Sequence, residues 1–180
     1  MHIFNWPNSI SLARLLSVPL IICLILSHQM VIGFWVFLIA SISDAVDGYL
    51  ARHLKARTEL GSFLDPIADK ALLIGVYLVL GIAGYISPIL VTLVIFRDVM
   101  IIGGTLLLFV FEKNIHMNPL SISKINTVVQ ILFVSWILFE HAFGIHLPSI
   151  FIVLFEYIVG LTTLLSGAFY VRLWSQRMTG

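Results

Sequence analysis

Charge is what this chain has least of. Ten Lys and Arg and nine Asp and Glu stand among 180 residues, for a formal net charge of +1. So even a balance offers no basic surface for a nucleic acid, and none is expected as a partner. With 60% hydrophobic residues and a mean hydropathy of +1.08, an ordinary soluble domain and a disordered chain are both excluded. A single cysteine, Cys23, rules out a disulfide within the chain. It falls in the middle of the first apolar stretch and reads as an inert buried thiol. The six histidines include no HExxH spacing, and His28, His116, His141 and His146 fall in expected turns, where they read as solvated. No internal repeat, low-complexity tract or dividing linker is present, so residues 1–180 read as a single domain. The first apolar stretch lacks a basic leading segment and contains Arg14, which is not the pattern of a cleavable signal peptide. Without a presequence, the expectation is a bacterial cytoplasmic membrane.

What the chain has in quantity is apolar length. Six stretches, at about 9–28, 31–52, 63–84, 88–111, 124–142 and 148–172, each approach the roughly 20 residues that cross a bilayer core. The expected fold is an all-α integral membrane protein of six transmembrane helices. Arg52, Lys55, Arg57, Lys113, Lys124, Arg172 and Arg177 all fall at one set of ends. The opposite turns, around Ser27–Met30, Tyr85–Pro88 and Glu140–Pro148, contain no Lys or Arg. That asymmetry predicts both termini on the cytoplasmic side. Trp6, Tyr170 and Trp174 fit interfacial anchors.

Four of the nine acidic residues, Asp44, Asp47, Asp65 and Asp69, crowd into residues 44–69, inside otherwise apolar segments. A charge at membrane depth costs several kcal/mol or more and faces a cavity, a partner or an ion. Asp44 and Asp47 are three apart and Asp65 and Asp69 four apart, so each pair shares one helix face. Pro66 is comfortable only near a helix start, which predicts a kink or a first turn at the second pair. The carboxylates are hard oxygen ligands suited to Mg²⁺ or Mn²⁺, and two divalent ions would both neutralise them and polarise phosphoryl oxygens. Two other readings of the same residues stay open: an ion or proton path in a transporter, and a structural charge network.

The spacing D-x2-D-G-x2-A-R-x8-G-x3-D-x3-D, carried by Asp44, Asp47, Gly48, Ala51, Arg52, Gly61, Asp65 and Asp69, resembles the signature of the CDP-alcohol phosphotransferase family. The resemblance implies a membrane enzyme that attacks the diphosphate of a CDP-linked lipid with an alcohol and releases CMP. It implies that the four aspartates hold two divalent ions, Mg²⁺ or Mn²⁺, and that Asp69 is also the general base. Gly48, Ala51, Arg52 and Gly61 would shape the donor nucleotide pocket, and a homodimer is implied as well.

The flanks extend the likeness. Asn8, Ser11 and Arg14, in W-P-N-S-I-S-L-A-R, are similar to the segment that opens the phosphatidyl-transferring branch, and their spacing of three lines one helix face. They are candidate CDP-diacylglycerol contacts. Asn8 could equally be a helix N-cap, and Arg14 could reach headgroups instead. Arg97 and Asp98 lie well inside the fourth stretch. Helix neighbours do not face each other, so a mutual ion pair is not expected, and Arg97 is read as turning to an acceptor phosphate or a motif carboxylate. Lys124 is a second candidate acceptor contact. Glu156 is alone within the sixth stretch and has no assigned role.

Members that use glycerol 3-phosphate typically carry K-x-K-T-x2-Q in the fifth helix. Here the residues are Lys124, Asn126, Thr127 and Gln130, so one cation is missing. A pocket with one cation fewer suits the singly charged phosphodiester of phosphatidylglycerol better than a dianionic phosphomonoester. Together with R-D-V-M-I-I-G-G and S-K-I-N-T-V-V-Q, this resembles the CMP-forming branch that makes cardiolipin. Phosphatidylglycerol is therefore the expected acceptor and glycerol 3-phosphate the second.

Overall fold

A computed structural model describes the backbone of residues 6–54, 59–110 and 121–178, and side chains within 12–43, 70–104 and 122–175. Six α-helices account for nearly all of it: α1 Trp6–Leu26, α2 Met30–Leu54, α3 Glu59–Ile82, α4 Pro88–Val110, α5 Ser121–Phe143 and α6 Ser149–Met178. They match the six apolar stretches in order. Two of them, over Ile122–Phe143 and Ser149–Ser175, pass a test of length and apolarity for crossing a membrane within the described residues. Large apolar side chains are exposed on every helix, among them Leu16, Ile39, Ile82, Phe96, Leu132 and Leu161. A protein dissolved in water would bury such residues; a lipid-facing one has no reason to.

The turns are closed by backbone chemistry. At the end of α1, Gln29 N–H donates to Leu24 C=O at 2.9 Å and His28 N–H to Ile25 C=O at 3.0 Å, with His28 at φ 58°. The end of α3 repeats the pattern, with Gly84 at φ 77° and Tyr85 N–H donating to Leu80 C=O at 2.9 Å. Both are left-handed caps that satisfy carbonyls the helix leaves open. Glycine adopts that conformation freely, whereas His28 bears its steric cost.

The helices group into two compact units. The first comprises residues 1–85 and 134–146, and the second 86–133 and 147–180. In the first, α1 packs along α3 and α2. Its core holds Ile21, Ile25, Phe37, Val76, Tyr77 and Leu80, all sealed from solvent. Phe34 meets Phe139 at a tilt and Phe143 edge-on, with ring centroids 5.7 and 5.8 Å apart. Gly75 allows α1 and α3 to close up, because a Cβ there would lie 2.8 Å from Val18 Cγ1. In the second unit α4 packs on α6, around Val94, Phe133 and Val159. Here Gly104 leaves room for the Trp174 ring, which any Cβ would strike.

Several expectations change. Cys23 is exposed on the surface of α1 and not buried. Tyr170 is 6% exposed, so it belongs to the packed interior of the second unit and not to an interfacial belt. His141 sits in the last turn of α5, where its Nδ1 lies 2.8 Å from Ile137 C=O and its ring 4.2 Å from that of Tyr85. His28, His141 and His146 are exposed, as expected. Trp6 and His116 lie outside the residues whose side chains are described.

The close α1–α3 approach predicts that Gly75→Val loses about 1–3 kcal/mol of stability through overpacking. Thermal unfolding in detergent, followed by tryptophan fluorescence, reads that loss directly. An unchanged midpoint would mean that the helices are not in contact there.

Candidate functional site

All four aspartates fall within helices. Asp44 and Asp47 lie in α2; Asp65 and Asp69 lie in α3, past its first turn, because that helix already begins at Glu59. Pro66 therefore sits inside a continuous helix and not at its start. Their side chains are outside the described residues, as are those of Asn8, Ser11, Gly48, Ala51, Arg52 and Gly61, but the register of each helix places their faces. Offsets of three, four or seven residues stay on one helical face. Asp44 follows Ser41 by three, Ala40 by four and Phe37 by seven, and all three are buried. Asp47 follows Ala40 by seven. On α3, Asp65 precedes buried Leu72 by seven and Asp69 precedes Val76 by seven. Four carboxylates are hard oxygen donors, chemically fit to hold divalent cations.

α1 supplies a cation to the same unit. Arg14 is only 3% exposed, which excludes the headgroup-reaching alternative. It lines a cavity of about 210 Å³ with Ser17 from its own helix and Val36, Ile39, Ala40 and Ser43 from α2. Ala40 and Ser43 are the residues four positions before Asp44 and Asp47. Ser17 Oγ donates to Arg14 C=O at 2.6 Å, which satisfies the hydroxyl within its own helix. Asn8 is already inside α1, which begins at Trp6, so it is not the N-cap.

In the second unit, Arg97 and Asp98 are 2% and 0% exposed. They do form an ion pair, Nη1 to Oδ1 at 2.5 Å, against the expectation from helix spacing. The spacing rule concerns Cβ directions, whereas the long arginine arm folds back to the adjacent carboxylate. Arg97 Nε also donates to Ser166 Oγ at 3.2 Å and Nη2 to Ser123 Oγ at 2.6 Å; Nη2 bonds Ser166 Oγ too. Gly167 leaves space beside this cluster, since a Cβ there would lie 3.8 Å from Arg97 Cγ. Lys124, the residue after Ser123, is exposed. A further seam lies alongside, where Thr163 Oγ1 donates to Asn126 Oδ1 at 3.0 Å and Gln130 Nε2 to Thr163 Oγ1 at 3.4 Å. The aspartates and Arg14 thus belong to the first unit, and Arg97 and Lys124 to the second.

A family model described as CDP-alcohol phosphatidyltransferase matches residues 4–168. The chain belongs to this family. Among curated phosphatidyltransferases it is 34% identical over 154 residues to the CDP-diacylglycerol–glycerol-3-phosphate 3-phosphatidyltransferase of Bacillus subtilis, covering 77% of this chain and 78% of that one. It is 32% identical over 183 residues to the chloroplastic CDP-diacylglycerol–glycerol-3-phosphate 3-phosphatidyltransferase 1 of rice, covering 92% of this chain and 56% of that one. With the human cardiolipin synthase (CMP-forming) it shares 33% identity over 147 residues, 72% of this chain and 48% of that one. The chain spans about half the length of the rice and human relatives. Bacterial, plant and mammalian proteins are all among them, so the likeness singles out no bacterial membrane.

Sequence reasoning missed what four residues of this chain do: Ser123, Ser166 and Thr163 in the polar seam, and Glu156 as a cap. Glu156 Oε1 accepts from Ser87 N–H at 3.0 Å, holding the N-terminus of α4 from α6. Its partner is 69 residues away, beyond the reach of local pattern reading. Ser166 and Thr163 did carry a signal, as polar residues three apart in an apolar helix.

The buried pair yields a prediction for stability. Asp98→Leu should cost about 3–5 kcal/mol by leaving Arg97 charged and uncompensated, whereas Arg97→Met with Asp98→Leu should recover most of that loss. Denaturation in micelles measures both. Equal losses in the single and double variants would show that the two residues do not act as a pair.

Proposed function

We propose that this chain transfers a phosphatidyl group from CDP-diacylglycerol to phosphatidylglycerol, releasing CMP and forming cardiolipin. The observation that supports the reading is the family match over residues 4–168, which takes in both α2 and α3, the two helices that carry the four motif aspartates. The same membership favours a transferase over an ion carrier. Six membrane spans with both termini cytoplasmic are part of the proposal, supported by the one-sided distribution of Lys and Arg. So is a homodimer, which rests on the family resemblance alone.

In this mechanism Asp44, Asp47, Asp65 and Asp69 would hold two divalent ions, and the family is generally dependent on such metals. When bound, Mg²⁺ or Mn²⁺ supplies charge stabilisation to the diphosphate. Asn8, Ser11 and Arg14 approach the donor from α1, the last as a buried cation beside the α2 face that leads to Asp44. Gly48, Ala51 and Gly61 leave room for the cytidine and Arg52 pairs with a phosphate. The acceptor hydroxyl oxygen bonds to the phosphorus that carries diacylglycerol. The bond from that phosphorus to the bridging oxygen breaks, and CMP leaves with the oxygen. The hydroxyl proton goes to Asp69. Arg97 and Lys124 face the acceptor phosphate.

Two observations bear on the acceptor. Asn126, where glycerol 3-phosphate users typically carry a lysine, is fully buried and bonded to neutral Thr163, so no cation is available at that position. Against this, the rice and Bacillus relatives are named for glycerol 3-phosphate, which stands as the second reading. Incubating purified protein with labelled CDP-diacylglycerol and each acceptor separately decides between them. Product with phosphatidylglycerol is expected; product with glycerol 3-phosphate alone would overturn the cardiolipin assignment.

Asp69→Asn should lower kcat by about 10²–10⁴-fold while donor binding persists. Chelation should stop CMP release, and Mg²⁺ or Mn²⁺ should restore it. Steady-state CMP release with donor-binding titrations checks both, and normal turnover in Asp69→Asn would remove it as the base. Arg52→Ala should raise the donor KM; an unchanged value would end its phosphate role.

A further inference from the structure

Three neutral polar residues, Asn126 and Gln130 on α5 and Thr163 on α6, have none of their surface exposed. Gln130 Nε2 donates to Thr163 Oγ1, and Thr163 Oγ1 donates to Asn126 Oδ1. An amide NH₂ can only donate, so the threonine oxygen accepts from it, and the single hydroxyl proton passes on to the next acceptor. Asn126 is therefore held with its carbonyl toward Thr163 and its NH₂ turned elsewhere. Its Nδ2 has no hydrogen-bond partner among the described residues. A buried donor left open is costly, and a structural seam would gain by replacing it with an apolar group.

The surroundings indicate what that donor meets. Asn126 lies three residues after Ser123 and Thr163 three before Ser166, and both serines bind Arg97. An open amide donor and a guanidinium thus share one seam between α5, α6 and α4. The guanidinium charge is already balanced by the adjacent Asp98 carboxylate. The seam therefore offers an open amide donor but little net positive charge. Such a site accommodates the oxygens and hydroxyls of a singly charged phosphodiester headgroup. A dianionic phosphomonoester would leave one charge uncompensated in a dry site, where that is most expensive.

We infer that Asn126 Nδ2 contacts the acceptor headgroup, and that Thr163 is the positioning residue that aims it. The seam thereby selects a phosphodiester acceptor over a phosphomonoester one. This rests on the transferase reading above and adds Thr163, on a different helix from the acceptor motif, to the determinants of specificity.

The test follows CMP release by the full chain with Mg²⁺ and CDP-diacylglycerol, titrating phosphatidylglycerol and glycerol 3-phosphate separately. Thr163→Val keeps the side-chain shape and removes the hydroxyl. It is expected to raise KM for phosphatidylglycerol about tenfold, with kcat and the donor KM within about twofold. Thr163→Ser is expected to restore the wild-type KM. Asn126→Lys is expected to shift the kcat/KM ratio toward glycerol 3-phosphate by about tenfold or more. An unchanged acceptor KM in Thr163→Val overturns the positioning role, as does a loss shared by donor and acceptor that serine does not rescue. If Thr163→Val does not fold, Asn126→Lys decides the matter, and unchanged acceptor preference overturns the inference. Wild-type protein that releases no CMP with either acceptor overturns the transferase reading itself, and this inference with it.

Discussion

An ionised carboxylate cannot rest against hydrocarbon without something to hold its charge, and this chain carries four of them in two apolar helices. Much of the first unit follows from that constraint. α1 lies along both helices, held close to α3 by Gly75, and brings Arg14 into the interior. The cavity beside Arg14 is walled by α2 residues that lead by single turns to Asp44 and Asp47. Arg14 alone would not balance four carboxylates. The arrangement calls for further positive charge, and divalent cations supply the most charge in the least volume.

The second unit meets the same constraint differently. Arg97 and Asp98 neutralise each other in the interior, and two serine hydroxyls satisfy what remains of the guanidinium. Close by, Gln130, Thr163 and Asn126 are linked by two hydrogen bonds that leave the Asn126 amide NH₂ open. Where the first unit carries four motif carboxylates within two helices, the second spreads hydrogen bonds along a seam with little net charge. The division suits a reaction in which one partner is a diphosphate and the other a weakly charged headgroup.

Much of this was legible in the residues alone. The six helices follow from apolar runs and charge-free turns, and the register of the aspartates from spacings of three and four. The family follows from eight matched positions, and the model match over residues 4–168 agrees. What stayed hidden depended on side-chain reach and long separation. Arg97 bends back to Asp98 although their Cβ directions diverge. Glu156 finds the Ser87 amide across 69 residues. Tyr170 packs inward and Cys23 outward, because in an apolar helix hydrophobicity does not tell the lipid face from the interior. Thr163 gave only the faint signal of a polar residue where leucine would serve.

The central claim is that the aspartates of α2 and α3 converge on divalent cations. Anomalous diffraction from crystals grown with Mn²⁺ and CDP-diacylglycerol addresses it most directly. Two manganese peaks are expected about 3.5–4 Å apart, bound by Asp44, Asp47, Asp65 and Asp69 and in contact with the diphosphate. Density for the donor with no manganese between these carboxylates, or with the carboxylates turned away from one another, would contradict the account.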